Sequence, residues 1–275
     1  MSTRAGYEKK ALPNIALIGA GNVATHLGRA LKQAGYKIIQ LFSRTISSAS
    51  ELAEKLQCPY VTDLNLVTSN ADIYLVSVKD DALDKVIPQL VKQNPNALFL
   101  HTSGSTSMNV WEGYVKRYGV LYPLQTFSKR FAVDFKTVTF YVEAVYPTDL
   151  DIVRQMAYSL SENVYETDSE QRLYVHLAAV FACNFSNHMY AIAYKLLQEK
   201  GLSFVPLLPL VDETVRKIHQ LNPVGAQTGP ARRWDRMIMN KHESLLKTCP
   251  GIADIYKKVS ESIHSYAIKE YLIQE

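Results

Sequence analysis

The segment "NIALIGAGNVATHLGRAL", Asn14 to Leu31, constrains the chain more than any other stretch. A short apolar run goes straight into Gly19 and Gly21, and the apolar residues beyond them recur at helical spacing. A buried strand, a tight turn and a helix in that order form the first unit of an alternating α/β fold.

The pattern continues. The apolar runs "KIIQLFS", "PYVT", "ADIYLVSV", "ALFLHTS", "GVLYPL" and "VTFYVE" alternate with stretches expected to be helical over 22–34, 47–56 and 82–91, and with a short helical piece near Val110. Such alternation predicts a doubly wound parallel sheet of the Rossmann type to about Phe140. After "NVYETD" the strand signals stop, and helices are expected over 169–199, 206–220, 230–247 and 252–272. The expectation is two domains, an α/β Rossmann domain over 12–166 and an all-α domain over 167–275, with "YPTD" at Tyr146 as the competing boundary. With 275 residues, 47% of them hydrophobic, the chain can fill both cores.

In a strand-turn-helix nucleotide site the first glycine makes the turn and the second lets the backbone approach a pyrophosphate. A third small residue lets helix and strand pack. Here these are Gly19, Gly21 and Ala24, with Gly28 keeping the same helix face small one turn on. The helix N-terminus offers unpaired N–H groups and a positive dipole end to phosphate. At the end of the second strand an NAD site places a carboxylate for the ribose 2′-hydroxyl, but this chain has Ser43, Arg44 and Thr45. A guanidinium beside hydroxyls suits a 2′-phosphate, so the expected cofactor is NADP. The alternative is a solvated arginine ahead of a helix capped by Ser47 or Ser48. Val78, at a later strand end, is expected to pack on the cofactor, while Asp80 and Asp81 read as a helix start.

Two further strand ends carry polar clusters: His101, Thr102, Ser103, Gly104 and Ser105, then Gln125, Thr126 and Ser128. Beside a nicotinamide they could orient a carbonyl or carboxylate substrate, and otherwise they cap turns. His101 and Ser103 are candidate catalytic residues, and Gln125 and Thr126 candidate substrate ligands. On the long helix, His176, Asn184, Asn187 and His188 fall within about 120° of one another at 100° per residue. Polar groups on an apolar helix are paired in a core or face a cleft, and in a cleft His188 or His176 could act as general acid. Asn184 is placed with His188 in the catalytic group, and Asn187 with the substrate ligands. In "NPVGAQTGPARRWD", Gln227, Thr228 and Arg233 are candidates for an anionic substrate, whereas Arg232 reads as a surface residue.

The 30 basic and 26 acidic residues are scattered, which argues against nucleic acid as a partner. No window reaches the roughly 18 apolar residues of a membrane span, and "MSTRAGYEKK" lacks the apolar core of an export signal. The three cysteines, Cys58, Cys183 and Cys249, have no paired spacing, so neither a disulfide framework nor a metal site is expected. A cytoplasmic location is the expectation.

Taken together, "GAGNVATHLGRAL", "FSR", "HTSGS", "YPLQTF", "HLAAVFACNFSNHMY", "DETVRKI" and "QTGPARRWD" resemble a family of bacterial Rossmann-like proteins with an uncharacterised C-terminal helical domain. Its members are commonly labelled NADP oxidoreductases of the deazaflavin-coenzyme-dependent type. The architecture is similar to pyrroline-5-carboxylate reductase and the 6-phosphogluconate dehydrogenase group, which dimerise through their helical domains and bind substrate between domains. The resemblance implies a homodimer, with Gly19, Gly21, Asn22, Val23, Ser43 and Arg44 around NADP and with Asn184, His188 and the "QTGPAR" loop at a substrate cleft. The hydroxyacid dehydrogenases of that group carry a lysine four residues before an asparagine on the long helix. Val180 holds that place here, which does not support lysine-based oxidation of a hydroxyacid. The expected activity is hydride transfer between NADPH and a small carbonyl or imine. The competing reading is a non-catalytic NADP-binding sensor.

Overall fold

The computed structural model describes residues 12–273, which form two compact units, the first running to Asn184 and the second beginning at Phe185. In the first unit the strands are β1 (Asn14–Ile18), β2 (Lys37–Phe42), β3 (Tyr60–Val61), β4 (Ile73–Val76), β5 (Leu98–His101), β6 (Tyr118–Leu124), β7 (Thr139–Ala144) and β8 (Val164–Glu166). They form one eight-stranded sheet in the order β3-β2-β1-β4-β5-β6-β7-β8. Its helices are α1 (Asn22–Gln33), α2 (Ile46–Leu56), α3 (Leu83–Leu90), α4 (Pro147–Tyr158) and α5 (Ser169–Ala179).

Strand β1 shows why the sheet forms. Ile15, Ala16, Leu17 and Ile18 are all buried, as expected of a strand covered on both faces. Alternate residues point to opposite sides. Ile15 and Leu17 join Leu27 and Leu31 of α1 in one core, and Ala16 and Ile18 join Leu83, Val86 and Leu90 in the other. Gly28 lets α1 approach β1, since a Cβ there would meet Leu17 Cδ2 at 2.8 Å.

Three features depart from the sequence expectation. The sheet is parallel through β6, but β7 runs antiparallel to β6 and β8 parallel to β7. Between β6 and β7 the chain has only a 3-10 turn over Phe135–Thr137. Without a crossover helix it doubles back rather than returning in parallel. Helix α4, absent from the sequence reading, carries Pro147 in its first turn and buries Val153, Met156 and Ala157. The third departure lies in the long helix. It starts at a capping box in which Gln171 N–H donates to Asp168 Oδ1 at 2.7 Å. It then passes through a π-helical turn, Val180–Phe185, before continuing as α6 (Ser186–Gln198).

The second unit is helical: after α6 come α7 (Leu208–Ile218), α8 (Pro223–Ala226), α9 (Pro230–Arg233), α10 (Arg236–Leu245) and α11 (Pro250–Ile273). Among the described residues no helix is long and apolar enough to cross a membrane.

Candidate functional site

The carboxyl ends of β1, β2, β4 and β5 open into a cleft of about 600 Å³. At its floor Gly19 has φ +115°, and its N–H donates to Phe42 O at 2.8 Å. A Cβ at Gly19 would lie 2.2 Å from Ser77 O, so the turn admits only glycine. Gly21 differs: it caps α1, and a Cβ there would meet nothing within 4 Å. Its open side is where a ligand backbone can come close to the helix N-terminus. Asn22 and Val23 line the same cleft.

Ser43, Arg44 and Thr45 follow β2 into the cleft wall, Ser43 buried and Arg44 exposed. Thr45 caps α2 without a side-chain hydrogen bond, which leaves its hydroxyl available. The opposite wall is Ser77, Val78, Lys79 and Asp80 after β4, with Thr102 and Ser103 after β5. Thr102 Oγ1 donates to Ser77 Oγ at 3.1 Å and ties the two strand ends together. Ser103 Oγ donates to Thr106 Oγ1 at 3.0 Å and accepts from Thr106 N–H at 3.0 Å, and Ser105 donates to Asp80. The "HTSGST" segment is thus an ordered turn across the cleft mouth.

His101 lies beneath that turn. It is fully buried beside Trp111, and its Nδ1 accepts from Ser103 N–H at 3.2 Å. Burial, then the Arg172 charge, pushes its pKa down to about 3, so the ring is neutral. At that depth His101 shapes the Ser103 turn and does not line the cleft.

Gln125 and Thr126 are exposed on the loop after β6. Asn22 Nδ2 donates to Phe127 O at 3.0 Å and His26 Nε2 to Ser128 O at 2.9 Å, so one face of α1 pins this loop. His26 and Ser77 went unassigned in the sequence reading, which named Thr102 within a polar cluster and Ser48 as a candidate helix cap. The i,i+4 spacing of Asn22 and His26, two polar residues on one helix face, was the signal for His26.

The remaining candidates are not among the residues that line this cleft. Asn184 ends the first unit, exposed in the π turn, while Asn187 and His188 are exposed on α6 of the second. The constant 100° step that grouped them with His176 fails at that turn. Also in the second unit, Gln227, Thr228 and Arg233 are exposed, and Gln227 Nε2 donates to Thr228 O at 2.9 Å. Arg232 braces that loop through Val224 O at 2.8 Å and Gln227 O at 3.1 Å.

A sheet running 3-2-1-4-5-6 from its first edge, with a glycine turn opening onto a helix N-terminus after its first strand, defines a Rossmann-type nucleotide-binding protein. Residues 14–102 match the family described as NADP oxidoreductase coenzyme F420-dependent, and residues 138–263 match a domain of unknown function, DUF2520. The chain is similar to the crystal structure of BF3122 from Bacteroides fragilis, a candidate NADP oxidoreductase. The identity is 49%, covering 92% of this chain and 98% of that one, with a TM-score of 0.89. The chain belongs to that family of NADP oxidoreductases, in which an N-terminal domain of the F420-dependent type precedes the domain of unknown function. It shares its fold with protein TM1727 from Thermotoga maritima, at 21% identity over 92% of this chain and 99% of that one, TM-score 0.75. An imine reductase from Myxococcus stipitatus, in complex with NADP+, shares it at 15% identity over 95% of each chain, TM-score 0.64. No curated protein matches the chain.

Proposed function

We propose that this oxidoreductase reduces a small carbonyl or imine substrate with NADPH. The observation that carries the reading is the cleft itself: an open Gly21 at a helix N-terminus, Ser43, Arg44 and Thr45 at the end of β2, and hydroxyl-bearing strand ends opposite. Gly21 and the N–H groups of α1 hold the pyrophosphate, Arg44 with Ser43 and Thr45 holds the 2′-phosphate, and Val78 packs on the nicotinamide side. Bound NADPH supplies a hydride to the substrate carbon. Ser103, Gln125 and Thr126 orient the substrate, and the long helix supplies the proton, with His188 and His176 the two candidates from sequence. Asn184 is proposed with the catalytic group, and Asn187, Gln227, Thr228 and Arg233 are the further substrate ligands proposed. The shared fold of an imine reductase supports the choice of substrate class.

Association of two copies through the helical region is part of this reading. Tyr174, Leu177, Phe181 and Phe185 are exposed along the long helix, more apolar surface than a solitary helix face carries.

Calorimetric titration with NADPH and NADH, on wild type and Arg44→Ala, tests the cofactor assignment. Wild type binds NADPH more tightly, and the variant loses about 10- to 100-fold toward the NADH value, as a charge-assisted hydrogen bond implies. Assays with NADPH and either 2-methyl-1-pyrroline or cyclohexanone then test the reaction. Tight NADPH binding with no turnover of either would favour a non-catalytic sensor.

A further inference from the structure

Behind the Ser103 turn, Tyr122 Oη on β6 and His176 Nδ1 on α5 lie 2.9 Å apart, their rings edge to face at 6.0 Å. Both belong to the first unit. Gly104 is the residue that lets them meet: a Cβ there would lie 2.5 Å from Tyr122 Cζ and 2.7 Å from His176 Nδ1. Gly104 directly follows Ser103, which lines the nucleotide cleft. The pair therefore stands one residue from the cleft wall, at the β5 side where a substrate would meet the nicotinamide.

Burial, then Tyr141, pushes the Tyr122 pKa up to about 12, so the phenol is protonated and Oη can donate to Nδ1, which selects one tautomer of the ring. A neutral imidazole that accepts at Nδ1 carries its own proton on Nε2. His176 is only half-buried, and its contact with the phenol is made through Nδ1, on the other side of the ring from Nε2. The result is a donor aimed away from Tyr122, with its ring orientation set by that contact.

We propose that His176 is the proton donor of the reduction and that Tyr122 is its positioning residue, an assignment that rests on the reductase reading above. The oxygen or nitrogen of the reduced substrate takes the Nε2 proton while Nδ1 takes the proton of Tyr122 Oη. Water then returns a proton to Nε2, and the Nδ1 proton goes back to Oη. The hydride comes from NADPH, so the sum is one hydride and one proton added across C=O or C=N.

Two measurements on the full chain test this. The first uses no cofactor: ring 15N shifts of His176 in wild type and in Tyr122→Phe. A single Nε2–H tautomer in wild type that becomes a mixture in the variant supports the pairing, and a mixture in wild type overturns it. The second measures turnover of 2-methyl-1-pyrroline and cyclohexanone with NADPH in His176→Asn and Tyr122→Phe, alongside NADPH affinity.

The expected result is a loss of at least about 100-fold in kcat for His176→Asn with NADPH affinity unchanged, the scale of a lost general acid. A smaller loss is expected in Tyr122→Phe. Wild-type rates in His176→Asn would overturn the assignment and leave the reductase reading standing. A wild type that reduces neither probe would defeat the reductase reading, and the assignment with it.

Discussion

Arg172 Nη2 on α5 donates to the carbonyl oxygen of Thr106 at 2.6 Å, while Nη1 of the same guanidinium pairs with Glu143 on β7. Arg172 is fully buried and Glu143 nearly so. Through this group the start of the long helix, the second-last strand and the turn that carries Ser103 hold one another. Ser169 extends the contact, accepting from Met108 N–H at 2.8 Å.

A buried ion pair contributes little when compared with apolar residues, but removing one partner strands the other. Arg172→Met should therefore cost about 3–5 kcal/mol. The double variant Arg172→Met with Glu143→Gln should recover part of that, because no buried charge remains unpaired. Urea unfolding of the three proteins checks this. If the double variant is as weak as the single, the loss comes from Thr106 rather than from Glu143.

Gly19 and Gly21 separate folding from binding. Gly19→Ala places a methyl group against Ser77 O in a left-handed backbone conformation, and a loss of roughly 1–3 kcal/mol or more is expected. Gly21→Ala has space for its methyl, so stability should move by no more than about 1 kcal/mol, the scale of an N-cap change. That methyl instead stands where the pyrophosphate comes close, and NADPH affinity should fall. Thermal melts paired with calorimetry read both effects. An Gly21→Ala variant that binds NADPH like wild type would remove the pyrophosphate from this turn.

What was legible in the sequence is what depends on near neighbours. Gly19, Gly21 and Gly28 announced the turn and the close helix because strand, turn and helix are contiguous. Arg44 stood out for the carboxylate it replaces. Contacts between distant segments were not legible: nothing around Asn22 or His26 points to Phe127 and Ser128, and nothing around Tyr122 points to His176. The wheel drawn through the long helix assumed a constant step, which the π turn at Val180–Phe185 breaks. "YPTD" at Tyr146 was read as a competing boundary, although Val153, Met156 and Ala157 beyond it have the spacing of a buried helix face.

The hold of α1 on the loop after β6 gives a local prediction. Asn22→Ala and His26→Ala each remove one tether, to Phe127 O and Ser128 O respectively. Each hydrogen bond contributes about 1 kcal/mol, so amide exchange over residues 125–130 should quicken by roughly fivefold per substitution. The core strands should keep their protection. Unchanged exchange in the double variant would mean that the ring contact of Phe127 with Phe135, at 6.0 Å, holds the loop.

The exposed apolar residues of the long helix make the association of two copies testable. Phe181→Glu puts a charge in the middle of that face, where burial against a partner would leave it unpaired. Sedimentation velocity should show a two-chain species for wild type and dissociation at the same concentration for Phe181→Glu. A single-chain species in wild type would remove association from the reading.

His101 makes stability fall in acid. Its ring is held neutral by burial, with a pKa down to about 3 against an ordinary 6.5. Between those values the unfolded chain binds a proton that the folded chain refuses, so stability is full above about pH 6.5 and falls as pH drops toward 3. The slope from this group cannot exceed one proton, about 1.4 kcal/mol per pH unit. In His101→Gln the side-chain oxygen can still accept from Ser103 N–H, but nothing titrates there. Urea midpoints at pH 7 and pH 5 should therefore fall further apart in wild type than in the variant. Equal falls would mean that the folded protein takes the proton at His101, which would require the Ser103 turn to open and expose it.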